Sequence, residues 1–220
     1  IPVAERFEQR FGLPIREVNF ALEEGTYKGA EVSRWQQQYV ASQAHVVRAL
    51  WSKRHLLTVM EDFWGNHFNV AADHDDVQHS REHYQAMIRA RALGKFSDLL
   101  VGVVTHPAML TYLNNRDSTK THPNENLGRE LLELHTVGVD SPYGEVGVVN
   151  SSRILTGLSV SSDSEEFMYK DWLHWTGPVQ VLGFKDSNAS AAGGLDVAKR
   201  YLAYLAKHPS TATYVCRKLA

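Results

Sequence analysis

The sequence predicts a mainly α protein: a single helical domain over residues 1–220, with a small β-hairpin or irregular flap near 160–185. Three observations predict it. Apolar residues recur at helical spacing along most of the chain. Capping residues, first-turn prolines and terminal glycines bracket the periodic stretches. Between two such stretches, aromatic and β-branched residues gather around Gly177-Pro178.

Residues 1–40 read as an irregular N-terminal part, because Pro2, Gly12, Pro14, Gly25 and Gly29 break any long helix. A helical pattern begins near Val32, and the helical core spans 41–158. Val46, Leu50, Leu57, Met60, Trp64 and Phe68 recur near one or two turns apart, and Ser52 is placed to cap a fresh helix. Two helices, or one bent helix, are expected. "NVAADHDDVQHS" is a polar connection. "REHYQAMIRARALG" is helical and stops at Gly94, and "KFSDLLVGVVTH" supplies a short helix. In "THPAMLTYLNN", Thr105 is the candidate cap and Pro107 falls in the first turn. "RDSTKTHP" is a loop. A helix starting at Pro123-Asn124 closes near Gly138, and another ends near Gly157. The flap and a flexible loop occupy 159–194. Two C-terminal helices fill 195–220, parted at His208-Pro209.

Bulk properties narrow the function classes. A formal net charge of -2 gives no basic field for nucleic acid. No apolar run approaches a membrane span, and nothing at the start resembles a signal peptide. The chain begins at Ile1 without Met and stops at "VCRKLA" inside a helical pattern, so it reads as a piece of a longer protein. The single Cys216 excludes an intrachain disulfide, and its apolar-periodic setting predicts a buried structural thiol.

The densest polar stretch is "NENLGRELLELHTVGVD", residues 124–140. On an α-helix Leu127, Leu131 and Leu134 share a core face, with Asn124, Gly128 and His135 along its flank. Glu125 and Arg129 stand in the favourable order for an ion pair. Asn126, Glu130 and Glu133 form a third stripe. Two carboxylates three residues apart can share a metal ion or divide acid and base work, and if buried they require a cation. Capping, ion pairs and a satisfied core histidine account for the same residues.

Other constellations are less specific. "FWGNHFNV" sets Asn66 and His67 at the end of an aromatic helix, where His67 is either a ligand or a hydrogen-bonded core residue. His79 and His83 are four apart but lack the HExxH arrangement. His174 stands between Trp172 and Trp175, a set suited to a sugar, a peptide or another protein, or to packing alone. There is no nucleophile elbow, Walker loop, dinucleotide fingerprint or EF-hand loop.

"FWGNHFNV", "IRARALGKFSDLLVGVVTHPAMLTYLNN", "NENLGRELLELHTVGVD", "RILTGLSV" and "HPSTATYVCRKLA" occur in an order that closely resembles the bacterial family called domain of unknown function 1800. The resemblance implies a largely helical protein, often exported and often encoded beside a second exported protein of sulfatase-like type. It implies no reaction. Asn66, His67, Asn124, Glu125, Asn126, Arg129, Glu130, Glu133 and His135 match the family's polar signature, and Arg153 and Thr156 match a later motif. Gly65 stands where members often carry a further histidine, and Leu158 where that motif usually ends in Trp. "LHWTGPVQVLG" departs from the usual His-Asp pair.

Two functions are consistent with these residues. One is a metal-assisted or acid–base hydrolase-like enzyme acting outside the cytoplasm on a polymer or its fragments. Its catalytic candidates are Arg129, Glu130, Glu133 and His135, and its ligand-binding candidates are Asn66, Asn126, Trp172, His174 and Trp175. A divalent metal ion would sit on His67, Glu130 and Glu133. The other is a non-catalytic binding or assembly protein whose polar cluster fixes helix register, with the tryptophan flap touching a partner such as the exported neighbour.

Overall fold

The computed structural model describes residues 26–27, 30–31, 46, 49–71 and 77–220. Most of the irregular N-terminal part, the start of the long helical pattern, residues 72–76 of the polar connection and the His79 side chain lie outside the described residues. The chain divides into two compact units, residues 1–62 and 63–220.

In the first unit, strand β1 (Thr26–Tyr27) pairs antiparallel with β2 (Ala30–Glu31). Residues 49–51 are helical, and α1 (His55–His67) begins after a break. Ser52 Oγ accepts a hydrogen bond from the Arg54 amide at 3.1 Å, so the predicted capping residue marks the interruption between two helical segments.

The second unit contains the end of α1 and the helices α2 (Gln78–Arg91), α3 (Phe96–Val104), α4 (Pro107–Tyr112), α5 (Glu125–Glu130), α6 (Gly144–Leu155), α7 (Gly194–Ala206) and α8 (Pro209–Leu219). The protein is mainly helical, as the periodicity predicts. Phe68, Tyr84, Ile88, Leu99, Leu100, Met109, Leu127, Leu131 and Tyr201 are fully buried. Each such side chain stabilises the fold by about 1.5–3 kcal/mol before conformational entropy is subtracted. Two polar tips in this core find backbone partners: Trp64 Nε1 donates to the Ala92 carbonyl at 3.0 Å, and the Tyr84 hydroxyl to that of Phe68 at 2.7 Å.

Two helix starts follow one device. His106 and His208, not the neighbouring Thr105, are the caps of α4 and α8. Their Nδ1 atoms accept from the amides of Ala108 and Ser210 at 3.2 Å each, and a proline occupies the first turn of both helices. Helices α5 and α6 meet at Gly128. A Cβ built there would lie 2.7 Å from the Ser152 amide nitrogen, so only glycine admits this approach. Ser151 Oγ then donates to the Gly128 carbonyl at 3.1 Å.

The flap region holds two hairpins rather than one. Strand β3 (Leu158–Val160) pairs antiparallel with β4 (Phe167–Tyr169), and β5 (Val179–Val181) with β6 (Phe184–Asp186). Gly177-Pro178 precedes β5 instead of turning a hairpin. Leu182 and Gly183, both with positive φ, make that turn. Asn115 fastens this part to the helices by donating through Nδ2 to the carbonyls of Leu155 at 3.1 Å and Leu158 at 2.8 Å. Cys216 is exposed, contrary to the buried thiol its periodicity suggests.

Candidate functional site

The polar signature does not form one continuous α-helix. Asn124 caps α5, its side chain accepting from the Asn126 amide at 2.9 Å. After Glu130 the chain widens into a π-helical turn over Leu131–His135. A π turn holds about one residue more than an α turn, because its bonds run from i to i+5. The helical phase therefore shifts. Leu134, expected in the core, is 48% exposed, while Leu132 and His135 turn inward. Two bonds close the widened turn: Thr136 Oγ1 donates to the Leu131 carbonyl at 2.6 Å, and the Gly138 amide to that of Leu132 at 3.0 Å. Gly138 has φ +85°, and a Cβ there would strike the Tyr214 ring at 2.8 Å.

The π turn brings His135 to His67. Their ring centroids are 6.2 Å apart, and Phe68 lies between the helices at 4.5 Å from His67 and 5.2 Å from His135. His67 Nε2 lies 3.0 Å from the His135 carbonyl. A carbonyl only accepts, so Nε2 carries the hydrogen and Nδ1 the lone pair. That lone pair accepts from Lys218 Nζ at 3.2 Å. Burial, with a smaller contribution from the Lys218 charge, lowers the His67 pKa to about 4, so the ring is neutral.

His135 differs. It is 4% exposed, yet neither ring nitrogen has a hydrogen-bond partner within bonding geometry. Burial, then the neighbouring His67, lowers its pKa to about 3. The backbone of His67 opposes this shift weakly without completing a bond. The result is a neutral imidazole with one donor and one acceptor unused, which costs about 1–3 kcal/mol.

Glu130 closes α5, immediately ahead of the widened turn. It is half-buried and, among the described residues, makes no ion pair. Burial and then the charge of Glu133 raise its pKa. Its field also reaches Tyr214, whose ring is 6.2 Å from that of His67 and 5.3 Å from Lys218 Nζ. Burial depresses the Lys218 pKa. Lys218 and Tyr214 were not singled out from the sequence. Their spacing of four placed them on one helix face, but nothing in it named the histidine 151 residues away.

Arg129 and Glu133 belong to a separate hub. The Arg129 guanidinium holds Glu145 through both nitrogens at 2.8 and 3.0 Å, Glu125 at 3.1 Å and Glu133 at 3.6 Å. Glu145 is the member that sequence spacing missed, since it lies on α6. Its hydrogen bond holds the Arg129 pKa well above the ordinary range and depresses that of Glu145. Tyr143 adjoins Glu133, and burial together with that carboxylate raises its pKa.

His174 is fully enclosed in the flap, between the Thr156 carbonyl at 2.7 Å from Nδ1 and Asn188 Oδ1 at 2.9 Å from Nε2. Asn188 Nδ2 donates onward to the Trp175 carbonyl at 2.7 Å. Trp175 stacks under Arg153, whose guanidinium carbon is 4.5 Å from the ring. Trp172 is 59% exposed. These partners are internal to the flap and its supports, and none of them is His67 or His135. Asn66 and Asn126 are exposed on the surface.

Of the predicted residues, the structure thus joins His67 with His135, gathers Glu125 and Glu133 on Arg129, keeps His174, Trp172 and Trp175 in a third group, and links Glu130 to the first through its field on Tyr214. Among the described residues no three His, Cys, Asp or Glu side chains converge as a metal-binding group. A metal on His67 would have to displace Lys218 from Nδ1. Among those residues no helix is long and apolar enough to cross a membrane. No curated protein and no solved structure matches the chain. The strings that carry the polar corner nevertheless run in the order of one family's profile, and the match over residues 6–220 shows that the chain belongs to the family described as protein of unknown function, DUF1800.

Proposed function

We propose that the chain is an acid–base enzyme of hydrolase type whose reactive centre is the His67–His135 corner. One observation carries the reading: His135 is buried with both imidazole nitrogens unused. A folded chain gains nothing from such a group unless a water or ligand completes it. Glu130 is the base, its raised pKa drawing it toward the range where proton transfer is efficient. The neutral His135 supplies a hydrogen bond to the oxygen on which charge develops. His67, fixed by Lys218 and the His135 carbonyl, positions that segment. A residue five places after Glu130 reaches the same side of a π turn, which is how base and donor can face one substrate. Export rests on the family resemblance alone, and an extracellular polymer or its fragments is the substrate class that an exported hydrolase would meet.

The test is a hydrolase screen with chromogenic esters, glycosides and peptides on the wild type, Glu130→Gln and His135→Phe. The expected result is turnover of one class that falls about 10²–10⁴-fold in each variant with cooperative unfolding retained. Full activity in a folded Glu130→Gln protein sinks the assignment. The Arg129 hub favours a second reading, a structural network, since one cation there holds three carboxylates. That reading gains if both variants lower the melting temperature and no substrate class is turned over.

A further inference from the structure

We propose that Lys218 is a nucleophilic amine that captures aldehydes or ketones as an imine, a covalent binding role beyond the proton-transfer reading above. The geometry points to it. Nζ lies 3.2 Å from His67 Nδ1, and that nitrogen is a lone-pair acceptor because the Nε2 hydrogen is committed to the His135 carbonyl. The amine is thus held by an uncharged ring and not by a carboxylate. Among the described residues Lys218 enters no ion pair, whereas Arg129 and Arg200 each hold acidic partners. Tyr214, one turn earlier on α8, walls one side of the amine with its ring face at 5.3 Å. The remaining side is exposed. A lysine beside two aromatic rings with no carboxylate to hold its proton, and with one side open to a carbonyl compound, is placed to serve as a nucleophile.

The step balances without any redox partner. The Nζ lone pair, its extra proton given to solvent, attacks the carbonyl carbon; the carbonyl oxygen takes up a proton and the nitrogen releases its first N–H proton, giving a carbinolamine. The hydroxyl takes up a second proton and leaves as water while the nitrogen lone pair forms the C=N bond, and the second N–H proton is lost to solvent. Amine and carbonyl have become imine and water.

The experiment treats the full chain at neutral pH with a limiting amount of propanal and cyanoborohydride. The added hydride converts each imine to a stable secondary amine, and peptide mass mapping reads the extent at every lysine. Lys218 is expected to react at least about tenfold faster than the exposed Lys53 and Lys120. His67→Phe, which removes the acceptor, is expected to bring Lys218 down to their rate. Equal rates in the wild type overturn the proposal without recourse to any variant. Fast labelling of Lys218 in a His67→Phe protein that still unfolds cooperatively overturns the role of His67 on which the argument stands. Labelling needs no turnover, so its failure is distinct from failure of the hydrolase reading.

Discussion

At the scale of single residues, His135 is where stability and chemistry part company. Its imidazole is enclosed by Phe68 and His67 and bonded to neither. An apolar ring of similar shape would fill the space without leaving a donor and an acceptor unmade. His135→Phe is therefore expected to hold or raise stability, by up to about 1–3 kcal/mol, in urea or thermal unfolding. A clear loss would mean that the imidazole is satisfied in solution by a bound water or ligand that the substitution expels. The sequence marked His135 as a flank residue and named it a candidate. It could not reveal the missing partners, because hydrogen-bond satisfaction depends on groups brought in from α1 and α8. Glu130 and Glu133 show the same limit. Their spacing makes them look equivalent, yet Glu133 pairs with Arg129 and Glu130 does not.

At the scale of elements, most helices were legible because capping residues and prolines bracket periodic runs. The widened turn was not. An α-helical wheel buries Leu127, Leu131 and Leu134 together, and the chain follows it only as far as Leu131. Nothing in "LLELH" announces the change, since every residue there is at home in an α-helix. The hairpins were half legible: strand-forming residues located them, but the Gly177-Pro178 pair drew attention away from Leu182-Gly183. The α5–α6 contact offers the cleanest test at this scale. Gly128→Ala drives a methyl group into the Ser152 backbone, so the helices must separate. A loss of about 1–3 kcal/mol is expected by chemical denaturation, with His135-dependent properties altered because the π turn continues α5. A neutral result would mean that the two helices have room to slide.

At the scale of the whole molecule, the histidines set how the protein meets acid. Burial holds His67 and His106 at pKa values of about 4 and His135 at about 3, below the ordinary 6.5. The unfolded chain therefore binds protons at a higher pH than the folded one. Stability is expected to be flat above about pH 6.5 and to fall as the pH drops through the interval toward 4, steepening with each histidine. Melting temperatures across that interval check it, and a flat profile would show that the three rings are not desolvated in solution. The widened turn has a kinetic consequence as well. A helix that changes pitch partway along has a built-in seam, and local opening begins where backbone pairing is weakest. Hydrogen–deuterium exchange should run on two clocks along residues 125–138: slow for the amides packed on α6, faster from Leu132 onward. Any molecule that settles against His135 would be registered first as a slowing of that second clock, before its identity is known.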